Sequence, residues 1–447
     1  MKFLIIGGDA AGMSAASRAK RNEPDMDVTV LEMTQDVSYS ACGMPYNIAD
    51  PARAMEELVV RSAKIFREKQ GIDLRTGHRA TKIDRDTHTV EGATTTDGTS
   101  FSLPYDALLI ATGASPAIPE IPGIDLPGVM ALKSLEDGRR IKSFIGEKVQ
   151  KAVIIGMGYI ALEMCEALRE RGLAVSLVKP RAEFLPWMNR EMASIVQAEI
   201  EAKGAALYPG HKIEEIDSGN GSMIVRCSEG LNLEADMVLA AVGVRPNSEL
   251  ARDAGLELGP GGAVSVDGFC RTSDPKVYSA GDCADAYHVV TGEKTWIPLA
   301  LRANRAGWAV ADNVTGGKVE LPGVVGTAVF KVFDLQVARS GLSIREAEKA
   351  GFDPAEVMIK ARSRAHGHPG GSPFYVQMVG DKRSGRLLGA QLVGKEGAAH
   401  RVNAIAVALQ QHMSVEAFSR CDLAYAPPFG PTWDPMLIAA NQLLKAL

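Results

Sequence analysis

The stretch Ser38-Tyr39-Ser40-Ala41-Cys42-Gly43-Met44-Pro45-Tyr46 holds one cysteine and no second one nearby. Gly43-Met44-Pro45 suits a loop turning into a helix start. Backbone N–H groups face outward there, and together with the positive end of the helix dipole they stabilise a thiolate. Redox work through an internal disulfide needs two thiols, as in a C-x-x-C pair. A catalytic Cys42 must therefore find its sulfur partner outside the chain. The plainer alternative is a small buried cysteine that fills space.

Two glycine-rich turns frame this thiol. Residues 2–6 form an apolar strand, followed by Gly7-Gly8-Asp9-Ala10-Ala11-Gly12, a helix-forming run from Met13 to Lys20, and a strand Val28–Leu31 that ends at Glu32. Gly7 permits the bend, Gly12 lets helix and strand pack closely, and the helix N-terminus faces a pyrophosphate. Glu32 lies where an acid accepts from a ribose hydroxyl. Asp9 stands in place of the middle glycine, so the strict fingerprint fails at one position. A second copy follows about 150 residues later: strand Lys151–Ile155, turn Gly156-Met157-Gly158-Tyr159-Ile160-Ala161, helix Leu162–Arg171 and strand Val175–Val178. Two such units imply two dinucleotides. After the second strand come Lys179, Pro180 and Arg181. The two cations suit a 2′-phosphate, which favours NADPH over NADH with dual use expected. A solvated basic loop is the alternative.

Further small-residue stretches tie the units together. Tyr105–Gly113 is a buried strand closing on Ala111-Thr112-Gly113, and Asp236–Asn247 repeats the pattern with Gly243. Thr272–Asp282 ends a short strand on Gly281-Asp282, where a carboxylate can accept from a ribityl hydroxyl of a flavin.

Composition sets the class. The chain has 447 residues, 46% apolar and 23% charged, and a formal charge of −5, too mild to imply nucleic acid or a membrane surface. Cysteines 42, 165, 227, 270, 283 and 421 show no metal spacing and read as reduced thiols. Met1-Lys2 leads at once into Phe3-Leu4-Ile5-Ile6, a core strand rather than a signal peptide, and no apolar run has the length of a membrane span. The expected location is the cytoplasm.

Jointly, these motifs resemble the pyridine nucleotide-disulfide oxidoreductase flavoproteins over essentially the whole chain. The single cysteine resembles the one-cysteine branch: coenzyme A-disulfide reductases, NAD(P)H polysulfide or persulfide reductases, NADH oxidases and NADH peroxidases. The resemblance implies an α/β fold with two Rossmann-like three-layer domains and an α+β C-terminal dimerisation domain. It places FAD in residues 1–115 with 247–322, where Leu299 and Ala300 join the cofactor contacts. NAD(P)H falls in 116–246, and dimerisation in 323–447. It implies that Ser14, Arg18, Arg21 and Ser38, with Arg61 as a further cation, line a coenzyme A channel; an ordinary solvated helix face is the alternative for Arg18 and Arg21. It also implies a homodimer in which the proline-rich tail Asp422–Pro435 crosses to the partner's flavin site, Tyr425 donating to the leaving thiolate.

Within the branch, oxidases and peroxidases carry a histidine where this chain has Ala10, which argues for a disulfide or polysulfide acceptor. Coenzyme A-disulfide reductases usually carry a tyrosine pair where Gly367-His368 stands here. His368 is either a substitute acid or a solvent-exposed loop residue. The expected reaction passes electrons from NAD(P)H through FAD to a mixed disulfide between Cys42 and coenzyme A. The alternatives are an NAD(P)H oxidase or peroxidase using a Cys42 sulfenic acid, and a redox-sensing flavoprotein.

Overall fold

The structure is a computed structural model describing residues 1–146, 149–219 and 221–447. Its first sheet is fully parallel, with strands in the order Val277–Ser279, Ala107–Ile110, Lys2–Ile6, Asp27–Glu32, Asp73–Thr76. Phe3, Leu4, Ile5 and Ile6 are all buried, as are Ala107 to Ile110. Continuous apolar runs of this kind suit strands covered on both faces. The helix Ala10–Asn22 packs against Ala300–Val314. Small residues permit the close approach: a Cβ on Gly307 would meet Ala11 O at 2.2 Å. The antiparallel strands His78–Asp84, Thr89–Thr94 and Ser100–Pro104 form a further layer.

The second unit repeats the plan. Its parallel order is Ala206–Pro209, Ala174–Lys179, Lys151–Ile155, Met237–Ala240, Val129–Met130. An antiparallel sheet of Ile213–Gly219, Ser222–Cys227 and Asn232–Ala235 accompanies it. The C-terminal region is a five-stranded antiparallel sheet, ordered Ala328–Val332, Leu335–Gly341, Leu387–Gly394, Pro373–Asp381, Pro354–Arg362. The helices Ala398–Gln410 and Pro435–Leu443 pack on it. The architecture is thus α/β in its two nucleotide units and α+β at the C-terminus. Among the described residues, no helix is long and apolar enough to cross a membrane.

Three local differences from the sequence reading have physical causes. Both nucleotide-unit helices start earlier than expected, at Ala10 and Tyr159, because the glycine-rich turn itself supplies the first helical turn. The stretch 236–247 is two strands, Met237–Ala240 and Val244–Pro246. Gly243, at φ +123°, breaks it, and the second piece pairs antiparallel with Ala114–Pro116 as the crossing strand between units. The tail stays irregular until Pro435, which opens a helix capped by Asp434 accepting from Met436 N–H at 2.9 Å. A first-turn proline loses no helical hydrogen bond.

Glu166 fastens the second unit to the C-terminal sheet. It is 4% exposed, pairs with Lys331, and accepts the Phe333 N–H at 2.7 Å. Glu166→Ala orphans that buried N–H and is expected to cost about 1–3 kcal/mol. A lowered melting temperature with cofactor content retained would be the reading; an unchanged melt would show that the joint contributes nothing.

Candidate functional site

Both glycine turns and the Cys42 segment open into one continuous cleft of about 2810 Å³. The geometry of the two turns is duplicated. A Cβ on Gly7 (φ +113°) would lie 2.1 Å from Ala111 O, and one on Gly156 (φ +118°) 2.2 Å from Ala241 O. Gly12 packs still tighter, 1.9 Å from Gly7 O by the same measure. By contrast, a side chain on Gly113, Gly158 or Gly243 would meet no protein atom within 4 Å. These three glycines line the cleft, so the backbone is laid bare where a flat or phosphate-bearing group can lie against it.

The cleft gathers most of the residues singled out from sequence. Gly7, Gly8, Ala11, Glu32, Ala111, Thr112, Gly281, Asp282, Leu299 and Ala300 line its first part, and Gly156, Tyr159, Ile160, Lys179 and Arg181 its second. Ser14, Arg21, Ser38, Arg61 and Cys42 line it too. Glu32 is held rigidly: it accepts from Gly8 N–H at 2.8 Å, Thr34 N–H at 2.8 Å and Thr34 Oγ1 at 2.7 Å. Asp282 pairs with Lys133 at 3.0 Å.

Three expectations, on Arg18, Lys179 and Cys42, need correction. Arg18 is not a cleft cation; its Nε is tied to Asp312 Oδ1 at 2.7 Å, leaving Arg21 and Arg61 on the channel wall. Lys179 is buried and its ammonium donates to Glu183 O; burial lowers its pKa. Arg181 is the exposed cation of the pair. Tyr425 is 49% exposed and lies outside the cleft of its own chain. His368, also outside it, has Nδ1 3.0 Å from the carbonyl of Pro369.

The third correction concerns the thiol. Cys42 is free and exposed, on a short 3-10 turn Ala41–Gly43 ahead of the helix Met44–Ala49. Ser40 N–H donates to Leu58 O at 2.8 Å and Gly43 N–H to Ser40 O at 3.0 Å, which fixes the turn. The expected dipole stabilisation does not dominate. Burial pushes the Cys42 thiol up, Glu163 pushes it further, and Lys133 pulls it down, against Asp282 and Asp9. The helix behind it has only six residues.

Sequence reasoning missed Lys133, Glu163 and Tyr46. Tyr46 Oη donates to Glu163 Oε1 at 2.9 Å, joining the Cys42 helix to the second nucleotide helix. Burial raises the pKa of Glu163. No local signal marks these residues, because each acts across an interface between units. Lys133 at least precedes a legible capping box, Ser134 with Asp137.

Residues 1–307 match the family model described as pyridine nucleotide-disulphide oxidoreductase. The chain belongs to that family. Residues 327–436 match the dimerisation domain of the same pyridine nucleotide-disulphide oxidoreductases. The chain is 38% identical to the NAD(P)H sulfur oxidoreductase (CoA-dependent) of Pyrococcus furiosus, over 99% of both chains. It is 33% identical to an NADH oxidase of Methanocaldococcus jannaschii, over 100% of this chain and 99% of that one. Among solved structures, a NAD-dependent persulfide reductase from A. fulgidus superposes with a TM-score of 0.96 at 37% identity, covering 100% of this chain and 83% of that one. As a pyridine nucleotide-disulphide oxidoreductase, the protein uses FAD and NAD(P)H, and the duplicated bare-backbone turns fit two dinucleotides.

Opposed charges around Cys42 give opposed expectations. Glu163→Gln should move the pH of half-maximal Cys42 alkylation down, and Lys133→Met should move it up. Mass spectrometry of the Cys42 peptide after iodoacetamide pulses reads both. Shifts of the same sign would contradict the electrostatic account.

Proposed function

We propose that this protein is an NAD(P)H-dependent reductase of coenzyme A-linked sulfur: coenzyme A disulfide, coenzyme A persulfide or polysulfide. The observation that carries the reading is one exposed thiol in the cleft, Cys42, while Cys165, Cys227, Cys270 and Cys283 are buried and Cys421 is partly so. The P. furiosus and A. fulgidus relatives, described as acting on sulfur and persulfide, support it. In this reading residues 1–115 with 247–322 hold FAD through the first glycine turn, Glu32 and Asp282. Residues 116–246 hold NAD(P)H, with Arg181 toward a 2′-phosphate, and residues 323–447 form the dimer contact.

When bound, FAD relays electrons in pairs between the nicotinamide and sulfur. The chain's own part is thiol chemistry. The Cys42 thiolate attacks a sulfur of the incoming disulfide or persulfide. The new bond is a mixed disulfide with coenzyme A, and the displaced sulfur departs as a thiolate or hydrosulfide. Arg21 and Arg61 attract the coenzyme A phosphates, and Ser14 and Ser38 line the arm's path. Tyr425 on the tail of a second copy donates the proton that the leaving sulfur takes up. Its exposure, with Phe429 at 77% and Trp433 at 62%, suits a tail that packs against another molecule. Two-electron reduction of the mixed disulfide returns the Cys42 thiolate and free coenzyme A.

An NAD(P)H oxidase is the second reading, favoured by the M. jannaschii relative, with Ala10 against it because a sulfenic-acid cycle then lacks its histidine. Side-by-side turnover with coenzyme A disulfide, polysulfide and oxygen discriminates, along with the mass of denatured, unreduced protein. A coenzyme A adduct on Cys42 is expected; added oxygen there would favour the oxidase.

Cys42→Ser is expected to lower disulfide turnover by about 10³-fold or more while anaerobic flavin bleaching by NAD(P)H proceeds. Loss of bleaching would reassign Cys42 to structure. Tyr425→Phe is expected to lower kcat about 10²-fold, less so at low pH where solvent supplies the proton. An unchanged kcat would remove Tyr425 from the reaction.

A further inference from the structure

The first glycine turn departs from its fingerprint at one residue, and the structure shows where that residue points. Asp9 precedes the helix Ala10–Asn22 without capping it through its side chain. Instead Asp9 Oδ1 accepts the Tyr39 N–H at 3.2 Å. One residue earlier, Ser38 N–H donates to Gly8 O at 3.1 Å. Two successive amides of the Cys42 segment are thus fastened to two successive residues of the dinucleotide turn. Ser38 sits at φ +48°, a conformation that costs a non-glycine residue energy and must be held by its surroundings. A glycine at position 9 could offer the Tyr39 amide nothing.

We propose that Asp9 is a positioning residue that clamps the Cys42 segment to the dinucleotide turn and couples its own charge to the Cys42 thiol. Asp9 and Cys42 line the same cleft, and Asp9 is bonded to the amide of Tyr39, three residues before Cys42, so its charge acts on the thiol from close by. Asp9 is half-buried, and burial pushes its carboxyl up to about 6, with Glu32 and Asp282 adding to the rise and Lys133 opposing it. The Tyr39 phenol faces the same charge. Asp9 is one of the carboxylates that raise the Cys42 thiol, with Glu163 and Asp282. The sign is fixed: Asp9 is ionised above about 6, and the thiol titrates above its ordinary range. A negative Asp9 therefore opposes the thiolate throughout the thiol's titration. One side chain holds the nucleophile in place and restrains its ionisation.

The inference rests on Cys42 being the reactive thiol and is independent of which acceptor it attacks. The test uses the FAD-loaded, reduced protein. Asp9→Asn keeps an oxygen for the Tyr39 N–H and removes the charge. It should move half-maximal Cys42 alkylation to lower pH and leave Tyr39 amide exchange unchanged. Asp9→Gly restores the fingerprint and removes the clamp. It should speed Tyr39 amide exchange about tenfold. A Cys42 titration unmoved in Asp9→Asn, or a Tyr39 amide equally protected in Asp9→Gly, overturns the proposal. Asp9→Asn is nearly isosteric, so its titration stands even if Asp9→Gly fails to fold. Neither readout uses turnover, so failure of the proposed reaction is read separately, from the acceptor comparison and Cys42→Ser.

Discussion

The near-contact of two backbones, made twice, is the constraint on which this structure depends. At Gly7 the first strand turns so close to the carbonyl of Ala111 that no side chain fits between them, and at Gly156 the second unit does the same against Ala241. Each approach draws a neighbouring strand's C-terminal end to the helix N-terminus, where unpaired N–H groups collect. The floor of each nucleotide site is therefore main chain, and main chain cannot be repositioned by a rotamer change. Everything with chemistry to do hangs from these floors. Glu32 is pinned by Gly8 and Thr34, and Asn247 Nδ2 donates to Thr112 O at 2.8 Å where the chain returns from the second unit to the first.

What was legible in the sequence was whatever is local and periodic. Both turns, their flanking strands and helices, and the acid at Glu32 could be read because spacing along the chain reports spacing in the unit. So could the Cys42 turn, since Gly43 and Pro45 act on their own neighbours. The shared cleft lining of Leu299 and Ala300 with the first turn came through the family resemblance, whereas Asp282 was read from the strand that closes on Gly281-Asp282.

The remainder was illegible for one reason: it depends on packing between distant segments. Arg18 and Arg21 look equivalent along the helix. Asp312, nearly 300 residues away, captures only Arg18 at close range. Lys179 and Arg181 look like a matched pair, yet Lys179 closes the strand and is buried with its ammonium on Glu183 O, while Arg181 lies beyond the strand and is exposed. Glu163 could not be connected to Cys42 from sequence, because the connection runs through Tyr46 on another unit. The thiol was misjudged similarly. A helix start in isolation argues for a low pKa, whereas burial and carboxylates from other segments argue the reverse, and they prevail.

That distribution of charge has a functional logic. Around the sulfur, Asp9, Asp282 and Glu163 stand against Lys133, so the reacting centre is net acidic. Arg21 and Arg61 are among the exposed cations elsewhere on the cleft wall. In the proposed reading, that separation favours a ligand whose phosphates lie toward the arginines and whose sulfur lies toward the thiol. The acidic surroundings also disfavour the Cys42 thiolate, the form that oxidises. The same charge pattern costs rate in exchange chemistry below the thiol's pKa, because nucleophilicity rises with pKa more slowly than the thiolate fraction falls. Lys133, the one cation close to the sulfur, then holds a disproportionate share of control: it offsets the carboxylates at Cys42 while its ammonium is fastened to Asp282 at 3.0 Å. Asp282 in the first unit therefore acts on the thiol twice, directly and through the Lys133 ion pair.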